Sequence, residues 1–402
     1  MDTQETTGAG IVVHTPRPEV DVVVVGGGPA GATAAHELAV AGRSVALLDL
    51  AGRIKPCGGA IPPRLIRDFD IDEDLLCARI SSARMISPTA RKIDMPIEGG
   101  FVGMVNREVF DEWLRARAAS AGATRLTGSF QRIERDEHEG AVVVWREKAT
   151  NAERRLRARL VIGADGAMSR VARQEMEEAR PKCVSAFHEI LEVPETLRGG
   201  GDGAYDGARC DVIYDGATSP DFYGWVFPHG NTCSVGTGSA NKGFKIRTSV
   251  TDLRAKAGLA DARLVRREGA PIPMKPRKKW DNGRDVVLAG DAAGVVAPAS
   301  GEGIYYAMVG GQVAAEAGVV FLETGKAKAL KLARKRFMKA HGRVFWILGI
   351  MQHFWYKNDK RRERFVTMCS DPDVQTLTWQ AYMNKELVRA KPAAHFRIFV
   401  KD

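Results

Sequence analysis

The chain has 402 residues, of which 45% are hydrophobic and 27% charged, and it carries a formal net charge of +10. This composition excludes a disordered or fibrous chain and allows one large core or two moderate ones, so we expect two lobes. No apolar run approaches the roughly 20 residues of a transmembrane helix, and the N-terminal stretch lacks the pattern of a secretory signal. The six cysteines lack metal-ligand spacing. We therefore expect reduced thiols, no metal and a cytoplasmic protein.

The first predicted element is a buried strand over residues 20–25, followed by a glycine-rich turn and a helix over residues 29–42. The first glycine of such a turn permits a tight bend, the second lets a pyrophosphate approach the backbone, and the third lets the helix pack on the strand. The helix N-terminus stabilises the phosphate charge. The residues predicted to bind the cofactor here are Gly26, Gly28, Pro29, Ala30 and Gly31.

Two aspartates indicate which dinucleotide binds. Asp49 ends the next predicted strand, where its carboxylate suits a ribose 2′-hydroxyl and repels a 2′-phosphate, which excludes NADPH from this site. Asp291 lies in a second small-residue turn before a glycine-rich helix start, which suits the ribityl chain and ring of FAD; the alternative is an ordinary helix N-cap. Backbone N–H groups near Gly301, Gly303 and Ile304 are predicted to face the flavin edge that gains negative charge on reduction.

The pattern of elements predicts an α/β fold, α+β overall, with a discontinuous Rossmann-like nucleotide domain. Residues 176–280 are rich in aromatic and turn residues, which favours an inserted antiparallel sheet for the substrate. Residues 304–323 and 326–366 look helical, and the tail after Pro372 looks mixed. The predicted boundaries are 1–19 for a flexible extension; 20–75, 100–175 and 281–325 for the FAD domain; 76–99 and 176–280 for the substrate domain; and 326–402 for a helical, basic region.

The cofactor motifs resemble the flavoprotein class that includes aromatic hydroxylases and geranylgeranyl reductases. The resemblance implies that Arg107, at a predicted helix start, contacts the cofactor; considered alone, it is equally a surface arginine on an amphipathic helix. Asp165 and Gly166 are similar to the second fingerprint of the class, which approaches both the FAD pyrophosphate and the nicotinamide donor. The resemblance also implies NADPH as reductant without a separate NADPH domain.

A second resemblance is to a narrower group of proteins within this class. The segment around Cys57, Gly58, Gly59 and Ala60 is similar to one in chlorophyll and bacteriochlorophyll geranylgeranyl reductases, in which the turn passes beside the flavin. Two glycines allow a backbone to approach a planar ring closely. The Cys57 thiol is then a proton donor, a redox group or a small apolar filler, and it is the candidate catalytic residue.

An aromatic motif in the middle of the chain is also similar to these reductases. Tyr223, Trp225 and Phe227 alternate along a predicted strand, so they share one face, and Pro228 completes the motif. This face is predicted to line an isoprenoid channel; the alternative is an aromatic stripe that faces the core.

The resemblance implies an NADPH-dependent flavoprotein reductase that saturates three double bonds of a geranylgeranyl group to give phytyl. The expected substrates are geranylgeranylated (bacterio)chlorophyll, geranylgeranyl diphosphate or both, and association with pigment-synthesis enzymes is a further expectation. The alternatives are an FAD-dependent monooxygenase or halogenase of a small aromatic molecule, and a non-catalytic pigment carrier. Nucleic acid is not an expected partner, because no recognised motif accompanies the positive charge.

Basic residues flank the apolar, aromatic segment 344–351 near the C-terminus. Such flanks suit an anionic membrane surface, which predicts a cytoplasmic protein held peripherally on the photosynthetic membrane. The alternative is a helix packed on the core with its charges in solvent.

Overall fold

The computed structural model describes residues 19–52, 54–178, 181–198 and 204–385. The predicted N-terminal extension lies outside these residues, apart from Glu19. The β-strands are β1 Glu19–Val25, β2 Val45–Asp49, β3 Ala60–Ile61, β4 Leu76–Ile80, β5 Ser82–Ile86, β6 Lys92–Pro96, β7 Val102–Val105, β8 Thr124–Arg135, β9 Ala141–Glu147, β10 Glu153–Gly163, β11 Cys183–Glu192, β12 Arg209–Ile213, β13 Gly224–His229, β14 Thr232–Ser239, β15 Leu264–Pro273 and β16 Val286–Leu288.

The helices begin at residues that favour a helix start, since proline opens several of them and polar side chains cap others. The helices are α1 Pro29–Val40, α2 Pro63–Asp68, α3 Arg107–Ser120, α4 Arg170–Glu175, α5 Glu195–Arg198, α6 Ile246–Lys256, α7 Ile304–Thr324, α8 Lys331–Trp355, α9 Asp359–Met368 and α10 Pro372–Asn384.

The first sheet carries the glycine-rich turn. Its parallel strands follow the order β8-β2-β1-β10-β16, with Val23 opposite Val161 and Ile162 opposite Val287. Strand β9 pairs antiparallel with the remaining lengths of β8 and β10. The carboxyl ends of β1, β2 and β16 meet at one edge, which is where ligands bind in open parallel sheets. The predicted α/β fold with a Rossmann-like unit is confirmed.

A second sheet of seven strands has the order β15-β11-β14-β13-β12-β5-β6. Its pairings are antiparallel except for one, because β5 joins β12 in parallel with Arg84 opposite Asp211. The strands from residues 176–280 pair antiparallel with one another, as predicted, and the parallel pair arises where β5 from an earlier segment joins them. Strand β5 comes from much earlier in the chain than β12, so no hairpin turn fixes their relative direction. A small third sheet has the order β3-β7-β4.

Glycine permits the close packing that positions α1. A Cβ atom at Gly311 would lie 2.1 Å from the carbonyl oxygen of Ala30, and one at Gly290 would lie 2.6 Å from the Ala30 Cβ atom. The first turn of α1 therefore contacts both α7 and the short turn Gly290–Ala292. This contact brings the two predicted cofactor turns together at the edge of the first sheet.

The C-terminal region is helical but differs from the prediction. The helix expected over 326–366 is broken after Trp355, where Asn358 caps α9 by accepting the N–H of Arg361. The tail predicted as mixed begins with α10, whose N-cap is Asp371. Within the described part of the chain, α7 is the one helix long and apolar enough to cross a membrane, and 67% of its apolar window is buried in the fold. That burial is expected of a core helix.

Candidate cofactor and substrate site

The three glycines of the glycine-rich turn differ in role, because two serve packing and one leaves space for a ligand. Gly26 has φ +106°, and a Cβ atom there would lie 2.4 Å from the Ala164 carbonyl oxygen. A Cβ atom at Gly31 would lie only 1.7 Å from the Gly26 carbonyl oxygen. At Gly28 a Cβ atom would meet nothing within 4 Å. Two glycines are thus required by the fold itself, while the third leaves open space at the N-terminus of α1.

Asp49 holds this turn from the end of β2. Its Oδ2 atom accepts the N–H of Gly27 at 2.9 Å, and its Oδ1 atom accepts the N–H of Ala51 at 2.9 Å. The Arg115 guanidinium lies 3.7 Å from Oδ1. The carboxylate therefore lies beside the glycine-rich turn, as a ribose-binding aspartate does in this type of fold.

Asp291 is buried in the second turn, where its Oδ2 atom accepts a bond of 2.6 Å from Lys55 Nζ. Gly303, rather than Asp291, is the N-cap of α7. A Cβ atom on Gly303 would lie 3.9 Å from Asp291 Oδ1. The aspartate, the N-terminus of α7 and Gly301 thus lie side by side, with Gly301 at φ +66°.

Arg107 is buried at the start of α3, so the surface-arginine interpretation is wrong. Its Nε and Nη2 atoms donate to the two carboxylate oxygens of Asp111 at 2.8 and 2.7 Å. Burial opposes its charge, but Asp111 and the neighbouring Cys57 hold its pKa above the usual value. Arg107 therefore presents a charged group beside the Cys57 turn.

The Cys57 turn is tightly enclosed. Gly59 has φ +73°, and its N–H points to Cys57 Sγ at 3.4 Å. A Cβ atom on Gly58 would lie 3.0 Å from the Phe227 ring, and one on Gly59 would lie 2.5 Å from His229 Nε2. Burial lowers the pKa of His229 to about 4, so its imidazole is neutral near pH 7. The neighbours of Gly59 therefore leave space only for glycine, and the Phe227 ring makes a side chain at Gly58 a tight fit.

Asp165 has a role that the sequence did not indicate. Its carboxylate accepts bonds from the Ser169 hydroxyl and from the N–H groups of Arg170 and Val171. It therefore fixes the start of α4. Gly166 has φ +83° and open space around its Cβ position, so the neighbouring backbone is the part of this fingerprint that a ligand can approach.

A large cavity of about 370 Å³ joins these elements to the second sheet. Tyr223, Trp225 and Phe227 line it, as the alternation predicts, but Pro228 is not among its lining residues. Pro29, Ala60, Arg107 and Asp291 line the same cavity. The cavity thus extends from the cofactor turns to an aromatic wall. The residues of α8, α9 and α10 that also line it are Met351, Phe365, Met368, Val374, Thr378, Trp379 and Tyr382.

Several site residues were missed by the sequence interpretation. Lys55 is the first residue of the motif around Cys57, but its bond to Asp291 joins positions far apart in the chain. Glu302 lies between two predicted cofactor glycines and forms a buried ion pair with Lys385. His229 directly follows the aromatic motif. For Lys55 and Glu302 the available signal was an ionisable residue within or next to a glycine motif, and for His229 it was the position directly after the aromatic motif. Nothing in the sequence indicated Lys385.

The residues at this sheet edge fit a dinucleotide flavin. The open space at Gly28 lies at a helix N-terminus, which suits a pyrophosphate. Asp49 and Asp291 provide two carboxylates that suit the hydroxyls of a ribose and a ribityl chain, and Gly301 and Gly303 leave room for backbone contacts to a ring. The cavity beside them is mainly apolar and aromatic.

Comparison with known proteins identifies the family. A family model described as "Lycopene cyclase protein" matches residues 21–192. A geranylgeranyl diphosphate reductase of Rhodobacter capsulatus is 58% identical over 95% of this chain and 96% of that protein. The chain belongs to the geranylgeranyl reductase family. A chloroplastic member from Oryza sativa is 37% identical over 94% of this chain and 84% of its own length.

Solved structures of similar proteins have the same fold. A geranylgeranyl bacteriochlorophyll reductase-like protein from Thermoplasma acidophilum superposes with a TM-score of 0.79, at 22% identity over 92% of this chain and 98% of that one. The flavin-dependent brominase Bmp2 gives a TM-score of 0.73 at 17% identity, covering 94% of this chain and 97% of that one. Geranylgeranyl reductases therefore share their architecture with flavin enzymes of other activities.

Proposed function

We propose that this protein is a flavoprotein reductase that saturates C=C bonds of a geranylgeranyl group. The observation that carries the proposal is the 58% identity to a geranylgeranyl diphosphate reductase over nearly the whole chain. The substrate is geranylgeranylated (bacterio)chlorophyll, geranylgeranyl diphosphate or both, and reduction of three double bonds gives phytyl. The mainly apolar cavity supports a prenyl chain over the small aromatic substrate of a monooxygenase.

FAD is the cofactor in this proposal. Gly26, Pro29, Ala30 and Gly31 shape the pyrophosphate site, with Gly28 and Gly166 leaving room for backbone contacts. Asp49 binds the ribose and Asp291 the ribityl chain, while Arg107, Asp165, Gly301, Gly303 and Ile304 complete the site with the turn Gly58–Ala60. When bound, the flavin supplies hydride. NADPH is the proposed reductant, and it reacts without occupying the site at Asp49, whose carboxylate repels a 2′-phosphate.

The protein's own side chains prepare the alkene. An isolated trisubstituted alkene is not electron-poor, so hydride addition also requires a proton. Tyr223, Trp225 and Phe227 exclude water from the prenyl chain, and their ring faces tolerate positive charge that develops on carbon. Cys57 is the proposed proton donor, because its thiol lines the cavity beside Arg107.

A membrane surface is the proposed location, because prenylated pigments are membrane lipids. Trp346 and Ile350 on α8 are 67% and 40% exposed, and exposed basic residues lie one or two turns before them. The next residue, Met351, lines the cavity. This arrangement supports peripheral attachment to an anionic, photosynthetic membrane, where pigment-synthesis enzymes are the expected neighbours.

Anaerobic turnover tests the function. Purified protein with FAD, NADPH and geranylgeranyl bacteriochlorophyll, or geranylgeranyl diphosphate, should give products heavier by two, four and six hydrogens by mass spectrometry. Replacing NADPH by NADH identifies the reductant. An absolute requirement for oxygen, with a hydroxylated product, would overturn the proposal in favour of a monooxygenase, and pigment binding without turnover would favour a carrier.

A further inference from the structure

Helix α10 covers one side of the large cavity. Val374, Thr378, Trp379 and Tyr382 line the cavity, and their spacing places them on one face of the helix. Trp379, Tyr382 and Met383 also pack against the apolar cluster that contains Ile80, Ile97, Val102, Met104 and Cys210. The helix is thus a wall of the cavity whose inner face would contact a prenyl chain.

The end of α10 is tied to the flavin side of the site. Lys385 directly follows the helix in a left-handed conformation, φ +55°, and its Nζ atom donates to Glu302 Oε2. The two side chains are 2% and 8% exposed. The ammonium also lies 3.9 Å from the centroid of the Tyr382 ring. A charged contact buried this deeply joins α10 to the loop Gly301–Gly303.

Backbone bonds hold the main chain of this loop. The Gly301 N–H donates to the Ala297 carbonyl oxygen at 3.0 Å, and the carbonyl oxygens of Glu302 and Gly303 accept the N–H groups of Ala297 and Ala307 at 2.9 and 2.8 Å. The Glu302 N–H points to Ser300 Oγ at 3.4 Å. Glu302 Oε1 is buried without a hydrogen-bond partner. The bond from Lys385 therefore strongly constrains the side chain at the centre of the loop, whose flanking glycines are proposed to contact the flavin.

The ion pair of Lys385 and Glu302 contributes little by itself to the stability of α10 in this position. Burial raises the pKa of Glu302 and lowers the pKa of Lys385, and their pairing opposes both shifts. A buried ion pair roughly offsets its own desolvation and adds little net stability. The stability of α10 in this position then depends mainly on apolar contacts, and a prenyl chain that touches Val374, Trp379 and Tyr382 adds such contacts.

We propose that Lys385 is a positioning residue that couples the contact of α10 with a bound prenyl chain to the arrangement of the flavin-side loop through Glu302. A prenyl chain in the cavity stabilises α10 in its observed position, and with it the Lys385–Glu302 pair and the arrangement of Gly301–Gly303 for the cofactor. The inference rests on the proposed function, because it requires a prenyl chain in the cavity. Coupling between two sites is reciprocal, so the prenyl chain must also tighten flavin binding.

The experiment measures FAD affinity, by flavin fluorescence, with and without geranylgeraniol in dilute detergent. Hydrogen exchange of the protein in its FAD-bound form is followed in parallel. In the wild type, geranylgeraniol should slow exchange in β13 and in α10 and should tighten FAD binding about tenfold. In Lys385→Met the protection of β13 should remain, while the tightening of FAD binding falls to less than about twofold. Lys385→Arg should restore it.

The controls separate this inference from the proposed function. Lys279→Met removes a charge from an exposed lysine and should leave the coupling intact. If Lys385→Met does not fold, Glu302→Gln serves instead, because it keeps an oxygen acceptor for Lys385 and removes the opposite charge. If geranylgeraniol protects β13 and tightens FAD binding as much in Lys385→Met as in the wild type, this inference is wrong while the proposed prenyl substrate stands. Absence of protection in both β13 and α10 overturns the prenyl substrate and the inference with it.

Discussion

The glycine-rich turn Gly26–Gly31 and the apolar cavity belong to one site, but they are assembled differently. The turn is encoded in consecutive residues, and its geometry comes from the backbone. The cavity collects side chains from the second sheet, from the Cys57 turn and from α8, α9 and α10. A substitution in the turn should therefore affect either folding or cofactor binding, depending on which glycine is replaced. Substitutions around the cavity should have graded and mixed effects.

A pair of substitutions in the turn has the largest expected effect. Gly31→Ala places a Cβ atom 1.7 Å from a backbone oxygen, so it should destabilise the fold by about 5 kcal/mol or more. At Gly28 a Cβ atom meets no atom within 4 Å, so Gly28→Val should cost only about 1 kcal/mol of stability. The same variant should lower FAD affinity at least about 100-fold, because its side chain fills the space for the pyrophosphate.

Urea unfolding and the flavin absorbance spectrum measure the two effects separately. Both variants are purified without added FAD and then titrated with it. A Gly28→Val protein that binds FAD like the wild type would show that the open space at Gly28 is not the cofactor site.

Arg107 lies where the two regions meet. Arg107→Met leaves the buried Asp111 carboxylate without its partner, so the free energy of unfolding should fall by about 3 kcal/mol. Replacing both partners, as Arg107→Met with Asp111→Leu, should recover most of that stability by removing the unpaired charge. It should not recover FAD affinity, if Arg107 contacts the cofactor. Full recovery of both properties would assign Arg107 to the fold alone.

The difference between the regions also explains what the sequence could predict. The strand–turn–helix at Gly26–Gly31, Asp49 and the alternation of Tyr223, Trp225 and Phe227 follow from local spacing, and the structure has each of them in the expected arrangement. The parallel β5–β12 pair, the break after Trp355 and the ion pair of Lys385 depend on contacts between distant segments. No local pattern encodes them. Arg107 is intermediate, because its position in a helix was predictable but its burial was not.

The pH dependence of the free energy of unfolding reports on two buried histidines, His229 and His341. Burial lowers the pKa of His229 and of His341 from 6.5 to about 4. Between these pH values the unfolded chain binds more protons than the folded one, so stability falls as the pH falls from 6.5 towards 4. Each histidine contributes a slope of at most about 1.4 kcal/mol per pH unit. His341→Phe, in a pocket beside Tyr306 and Phe337, should remove one such contribution.

Urea unfolding at pH 7, 6 and 5 measures the slope. Carboxylates also titrate in this range, but they contribute equally to the wild type and to the variant, so the difference between them isolates the histidine. His138→Gln, at an exposed histidine, is the matched control and should leave the slope unchanged. Identical slopes for the wild type and His341→Phe would mean that His341 is not held neutral by burial.

The smallest expected effect concerns the outer surface of α8, on the turn that also supplies Met351 to the cavity. Trp346→Ser with Ile350→Ser removes exposed apolar groups, so affinity for phosphatidylglycerol vesicles should fall about fivefold, or about 1 kcal/mol. Val40→Ser, at a valine 66% exposed at the end of α1, should leave flotation with the vesicles unchanged. Added salt should weaken binding of the wild type and of both variants, because the basic residues remain. Equal flotation of all three proteins would make α8 a packed helix with solvated charges, and the cavity would then have to receive its prenyl chain from another side.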